Sequence, residues 1–385
     1  MTERLYYLDS HRRSFSAVVL ACTERKGLWA VELDQTAFFP EGGGQKGDVG
    51  TLNGIPVTDT REENGHILHL TAQPLGVGES VEGELDWDVR FARMQSHSGE
   101  HIVSGLAHSL WGCENVGFHM AEETVTLDFD RELSAEQVRE LERLANEAVW
   151  RNVPIRTGFP SPEELQAMEY RQKKPLSGDI RIVEVEGIDR CACCAPHVER
   201  TGEIGSIALT DAMRHRGGIR LTLLAGRNAY AHARELRAVT AELSHLFSAP
   251  AAGLVPAAQR VLGELEKKTF VLEGLEREQM AKKADAAPIT EGCLLFIEPG
   301  EHSVSALREL ANAGAEKAGL LCGVFWGEEG QWKYILVSRH VDLRANGKEI
   351  NAAIGGRGGG SREMLQGSCT ASRESIETFF GAYHG

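Results

Sequence analysis

The 385-residue chain reads as a multidomain α+β protein: a small N-terminal β-barrel, an α+β domain, a coiled-coil-like helical arm and a C-terminal α/β domain. Three observations predict this. Short apolar or alternating runs between glycine-containing turns fill the first ninety residues. From about residue 91, apolar residues at helical spacing alternate with strand-like runs. A heavily charged stretch with a leucine seam then occupies residues 228–285.

Within residues 1–90, FSAVVLAC, GLWAVELD, IPVTDTREENGHILHL and SVEGELDW have the length and alternation of strands, and strands this short and evenly spaced suit a small barrel. Residues 91–227 open with RFARMQSHSGEHIVSGLAHSLWG, in which Ile102, Leu106 and Leu110 share a helical face. TVTLDFD reads as a strand, SAEQVRELERLANEAVWRN as an amphipathic helix opened by Ser134 with Glu136 and Gln137 close behind, and DIRIVEVEG as another strand. In residues 228–285, Leu236, Val239, Leu243 and Leu246 step by three and four, and after SAPAAG the seam resumes at Leu265, Leu272 and Leu275. That spacing predicts a helical hairpin or short coiled coil. Residues 286–385 place GCLLFI, LLCGVFW and WKYILVS around the helical SALRELANAG, an α/β pattern.

Composition narrows the class. With 42% hydrophobic and 25% charged residues the chain can bury full-sized cores. No run of about 18 apolar residues suggests a membrane span, and MTERLYYLDSHRR lacks the apolar stretch of a secretory leader. The expected location is cytoplasmic, with no membrane partner. Eight cysteines (22, 113, 191, 193, 194, 293, 322 and 369) are too dispersed for a disulfide scaffold, while three crowd into four positions, a sign of thiol or metal chemistry. The formal charge of −15 argues mildly against a nucleic-acid partner. Local basic stretches, RQKK at 171–174, RHRGGIR at 214–220 and the later GGRGGGSR, could supply a basic surface or be solvated faces.

The chemistry concentrates in two pairs. His97 and His101, in QSHSGEHIVSG, are four apart and face one side of a helix. With Glu100 they also spell H-x-x-E-H, the inverted zinc-protease signature. Downstream, Cys193 and His197 in CACCAPHVE repeat the four-residue offset, with Pro196 favouring a loop. Three imidazoles and a thiolate form a donor set for tetrahedral Zn²⁺. Cys191 or Cys194 could replace Cys193 as the thiolate, since 191 and 194 form a C-x-x-C of their own. Glu100 is the nearest candidate base in sequence, although a residue one before a helical ligand points about 100° away from it.

These residues resemble a known family. HSGEH at 97–101 and CCAPH at 193–197, followed by VERTGEIG, are similar to the editing domain of alanyl-tRNA synthetase and of its free-standing AlaX relatives. LDQTAFFPEGGGQKGDVG at 33–50, VGFHMAEETVTLDFD and GGRGGGSREMLQGS at 355–368 resemble that family's barrel segment, the stretch after its first histidine pair and its glycine-rich C-terminal motif. The likeness covers nearly the whole chain and leaves no room for an aminoacylation domain ahead of it, so the long AlaX form is the expectation. CCAPH stands where the synthetase typically has CGGTH.

The resemblance implies a zinc-containing editing domain over 91–227. It implies hydrolysis of tRNA(Ala) mischarged with serine or glycine, sparing correctly charged Ala-tRNA(Ala). His97, His101, Cys193 and His197 would hold Zn²⁺. Gly43 and Gly44 would let the backbone approach the terminal adenosine, or GGGQ is an ordinary tight turn. Gln45 and Thr36 would offer polar contacts, with Gln45 and Glu100 the candidate catalytic side chains, while Gly117 and His119 would line the amino-acid pocket, or His119 is a surface strand histidine. Arg357, Gly358 and Gly359 would cradle tRNA phosphate through successive N–H groups, or the tract is an ordinary glycine loop. A homodimer through the helical arm or C-terminal domain is a further expectation. The other readings are a zinc metalloprotease of the H-x-x-E-H type and a nonenzymatic zinc-stabilised RNA-binding protein.

Overall fold

The computed structural model describes residues 2–172 and 179–384. It divides into two compact units, Met1–Ala241 and Glu242–Gly385, at a point inside the helix Gly226–Phe247. Lys173 and Lys174 of the basic RQKK stretch lie outside the described residues.

In the first unit, six antiparallel strands pair in a ring: Ser14–Arg25, Leu28–Leu33, His66–Thr71, Ile55–Glu63, Gly50–Leu52 and Ser80–Leu85. Alternation makes this possible. In Ser80–Leu85 every second residue is buried, and Phe15, Val19, Val31, Leu33, Val57, Val81 and Leu85 fill the interior. Asn53-Gly54 and Asn64-Gly65 close two of the hairpins with both residues at positive φ, the backbone that two-residue turns between twisted strands demand.

The helix Trp87–Trp111 is capped by Asp86, whose side chain accepts from Val89 N–H, and stops at Gly112 in the left-handed region. From Met94 to Ala107 nearly every residue is buried, as suits a helix covered on several sides rather than along one stripe. Around it stand two sheets. One runs Ile207–His215, Gly218–Ala225, Val125–Phe129 and Asn115–Met120, and the other Ile155–Gly158, Ile182–Val185 and Asp189–Ala192; all their pairings are antiparallel. The helix Ala135–Arg151 starts in a capping box of Ser134 and Gln137 and buries Val138, Leu141, Ala145, Ala148 and Val149. Met94, Ile102, Val103, Leu127, Leu141, Val183, Leu221 and Leu223 belong to the core that joins these elements.

In the second unit, strands follow the order Leu294–Pro299, Cys322–Glu328, Gln331–Val337, Met364–Cys369 and Gly356–Gly360, with only the first pair parallel. Alternate residues enter two cores. Val324, Ile335 and Val337 meet Val304–Ala315 and the end of Leu254–Ala286, while Phe325, Tyr334 and Leu336 meet Leu343–Ala353 and Arg373–Ala382. The residues of the expected arm seam, Leu236, Val239, Leu243 and Leu246 on one helix and Leu265, Leu272 and Leu275 on the next, are exposed.

One buried ion pair ties the first unit together. Arg90 and Asp48 are each 1% exposed and paired. Arg90 also donates to the carbonyls of Ala37 and Ser10, while Asp48 accepts from Phe39 N–H at 2.7 Å. Burial pushes the Asp48 carboxyl up despite the adjacent guanidinium, so the charge depends on its partner. Arg90→Met should lower unfolding free energy by about 3–5 kcal/mol by stranding Asp48, with much of the loss recovered in Arg90→Met/Asp48→Leu, as read from denaturant midpoints.

Candidate metal centre

Helical spacing sets His97 and His101 on one face of Trp87–Trp111, with ring centroids 5.7 Å apart. The second pair arrives on an irregular segment just past the strand Asp189–Ala192, where Pro196 prevents helical continuation. Cys193 Sγ lies 3.5 Å from His97 Nε2 and 3.4 Å from His197 Nε2. The four donor atoms of His97, His101, Cys193 and His197 all fall within 4.8 Å of one another. Bonds of 2.0–2.3 Å to tetrahedral zinc imply donor separations of roughly 3.6 Å, close to the two sulfur–nitrogen distances. The donors therefore fit a zinc ion by chemistry and by spacing.

Each imidazole is also held from behind. His101 Nδ1 lies 2.9 Å from Asp189 Oδ2, and His97 Nδ1 lies 3.0 Å from Gln45 Oε1. His197 Nδ1 lies 3.0 Å from Ser98 Oγ, which also accepts from Val198 N–H. Partners on Nδ1 turn the Nε2 lone pairs inward, the usual device for orienting metal-bound histidine. Arg171 clamps Asp189 from the far side through Nε at 2.7 Å and an outer nitrogen at 2.9 Å. The close approach of Asp189 to the helix requires Gly105, where a Cβ would stand 2.6 Å from Asp189 Cβ.

The charges are interdependent. Burial opposes the Cys193 thiolate, yet the surrounding His97, His101 and His197 hold its pKa well below the ordinary thiol value. Burial likewise opposes a charged His101, yet its bonds to Asp189 and Cys193 raise it well above the ordinary imidazole value. His197, dominated by burial, is pushed down to about 3. Asp189 is opposed by burial but lowered by His101 and Arg171.

Cys193 is the thiol that reaches His97 and His197. Cys194 Sγ instead faces the glycine loop, 3.3 Å from where a Gly43 Cβ would stand. Cys191 lies near His101 and Asp189 in a second donor group, its thiol pushed up by burial. Gly42 and Gln45 exchange backbone hydrogen bonds at 3.0 Å around Gly43 and Gly44, both at positive φ. This is a tight turn, and it carries Gln45 to His97. Gly44 is required by Phe118, whose ring would lie 2.5 Å from an added Cβ.

Other expected residues land elsewhere. Gly117 and His119 pair across from Asp128 and Thr126, while Phe118 pairs with buried Leu127. Strand alternation thus turns Gly117 and His119 to the opposite face of the sheet from Phe118, and Phe118 is the residue beside His97, centroids 4.9 Å apart. Thr36 sits in a buried exchange with His69. His69 Nδ1 donates to the Val31 carbonyl, so Nε2 accepts the Thr36 hydroxyl at 2.8 Å, and Phe38 N–H donates to that hydroxyl. Burial pushes His69 down to about 4, consistent with a neutral ring. Glu100 is buried, its Oε1 accepting from Ser104 and Asn115 at 2.7 Å. Its Oε2 lies 3.9 Å from His101 Nε2, closer to the centre than helical angle alone suggests. In the second unit, Arg357, Gly358 and Gly359 lie on the exposed strand Gly356–Gly360 at the sheet edge. Successive N–H groups alternate in direction there, so the expected nest of consecutive N–H groups is not formed.

A cleft of about 680 Å³ backs onto this region. Ser96 and Lys46, the neighbours of His97 and Gln45, lie in its wall, but none of the four donors does. Its carboxylates outnumber its cations, which disfavours phosphate.

The family described as "Threonyl and Alanyl tRNA synthetase second additional domain" matches residues 180–221, the segment containing Cys193 and His197. The alanine–tRNA ligases of Halorubrum lacusprofundi and Halobacterium salinarum are 31% and 32% identical over 95% of this chain. This chain spans only 42% of their length. The alanyl-tRNA editing protein AlaX-L of Pyrococcus horikoshii is 28% identical over 98% of this chain and 96% of its own. A solved C-Ala domain of Aquifex aeolicus alanyl-tRNA synthetase is 17% identical over 23% of this chain and 87% of its own, with a TM-score of 0.20, too low to define a shared fold.

Two outcomes follow from the geometry. Asp189→Asn should weaken Zn²⁺ affinity by about 10- to 100-fold in chelator competition, since the outer partner of His101 loses its charge. Because raised His101 holds a proton near neutrality that a metal must displace, apparent Zn²⁺ affinity should rise about ten-fold per pH unit and flatten above that raised pKa; a pH-independent affinity would contradict the assignment.

Proposed function

This chain is a long-form relative of the alanyl-tRNA editing proteins, and from that kinship we propose that it is a trans-editing hydrolase. It cleaves the ester joining serine or glycine to tRNA(Ala) and spares Ala-tRNA(Ala). The supporting observation is the convergence of His97 and His101 with Cys193 and His197 from segments about ninety residues apart. A first synthetic site cannot exclude glycine by size, and an added hydroxyl penalises serine weakly, so a second site has to sort them. A site that hydrogen-bonds the serine hydroxyl leaves a polar group unpaired when alanine enters, a large penalty.

His97, His101, Cys193 and His197 would hold Zn²⁺, which when bound supplies a fixed positive charge able to polarise the ester carbonyl. The rest falls to the chain. Gln45, fixed on its tight turn, holds the proton on His97 Nδ1, while Phe118 and Gly44 form a close-fitting wall beside that ring. Glu100, anchored by Ser104 and Asn115, is the carboxylate placed to take a proton from the attacking water. An aminoacyl ester is already activated, so alignment contributes more than a strong base. In the second unit, Arg357 on its exposed edge strand offers a phosphate contact to the body of the tRNA. The editing domain at 91–227, the arm at 228–285 and a homodimer through the arm or C-terminal domain belong to this reading.

Purified protein should release serine from Ser-tRNA(Ala) and leave Ala-tRNA(Ala) charged. Cys193→Ala should reduce that rate by about 10²-fold or more while far-UV dichroism stays near wild type. Equal hydrolysis of both charged tRNAs, or full activity in Cys193→Ala, would sink the proposal. Peptide cleavage that Glu100→Gln abolishes would favour the protease instead.

A further inference from the structure

Beside the Cys193 segment, the first unit carries a group of rings that the metal centre does not use. Tyr7, on the helical turn Leu5–Leu8, meets Tyr6 edge-on at 4.6 Å between centroids and Phe159 edge-on at 5.3 Å. Phe159 follows the strand Ile155–Gly158 and is 51% exposed; Leu8 is 72% exposed. The Arg181 guanidinium lies 5.1 Å from the Tyr7 centroid while donating to the carbonyls of Cys193 and Ala195. Arg4 lies 5.9 Å from the same ring and pairs with Glu62. Tyr7, Cys193 and Cys194 pack on one buried group of Tyr6, Phe39, Ile67 and Ala195. An exposed ring, the cation that backs its neighbour and a metal-binding loop are therefore continuous.

We propose that Phe159 and Tyr7, backed by Arg181, form a stacking site for an unpaired nucleobase at the 3′ end of the tRNA. The inference rests on the editing reading above and adds a subsite to it. An ester on the terminal ribose brings that nucleotide's base within reach of the centre, and a single-stranded end offers an open aromatic face. Unstacked bases are bound on aromatic rings and guanidinium planes without regard to base identity. Arg181 is buried beneath Tyr7, so its charge reaches an approaching polyanion through the ring rather than by direct contact, on a chain whose formal charge is −15. By contrast, carboxylates outnumber cations in the cleft behind the centre.

The test uses full-length protein and uncharged tRNA(Ala) carrying the fluorescent base 2-aminopurine at its 3′-terminal position. Binding should quench the fluorescence. Phe159→Ala should abolish the quench and weaken binding about ten-fold, the loss of one base stacked on one ring, and Phe159→Trp should restore both. In steady-state deacylation Phe159→Ala should raise KM about as much and leave kcat near wild type. Quench and affinity unchanged in Phe159→Ala, or binding by wild type without quench, overturns the site. Because the tRNA is uncharged, the readout is independent of hydrolysis: quench that depends on Phe159 in a protein that hydrolyses no ester upholds the platform and removes the enzymatic reading.

Discussion

Three buried imidazoles and a half-buried thiol, drawn together with their donor atoms converging, make up the arrangement on which the rest of the first unit depends. Burying polar groups without partners is costly, and here every ring has one nitrogen satisfied by Gln45, Asp189 or Ser98. What remains unsatisfied points inward at a common spot. The surrounding elements are placed to sustain this. The histidine helix packs against both sheets and the helix Ala135–Arg151, the glycine turn delivers Gln45 to it, and Arg171 braces Asp189 from outside.

Much of the candidate centre was legible because its donor residues come in local pairs. A four-residue offset sets two side chains on one face of a helix, and the same offset recurs about ninety residues later at Cys193 and His197. The outer partners were not legible. Asp189, Ser98 and Arg171 are ordinary polar residues in sequence, and only tertiary approach gives them a role. Gly105 was the available hint: a glycine inside an otherwise good helix signals close contact with another segment, here Asp189. Beside His97 stands Phe118 rather than Gly117 or His119, and His119 is an exposed strand histidine, the plainer of the two readings of that residue. On a strand a one-residue error exchanges the two faces completely.

The multidomain α+β character followed from periodicity, which changes from alternation to helical spacing near residue 91. The glycine-rich C-terminal tract was harder, since glycine weakens strand signals. Its strand forms on the hydrogen bonds of neighbouring Met364–Cys369, and glycine at 358 leaves room for the Tyr334 hydroxyl. The protease reading of H-x-x-E-H loses support from the same centre. The H-x-x-E-H pattern accounts for neither Cys193 nor His197, whose donor atoms converge with those of His97 and His101.

The convergence of two distant segments on one cation is tested most directly with Co²⁺ in place of Zn²⁺. The account predicts one Co²⁺ per chain, with tetrahedral visible absorption and a near-ultraviolet thiolate charge-transfer band that survives Cys191→Ser and Cys194→Ser but vanishes in Cys193→Ser. A protein that binds no Co²⁺, or a thiolate band unaffected by loss of Cys193, would contradict it.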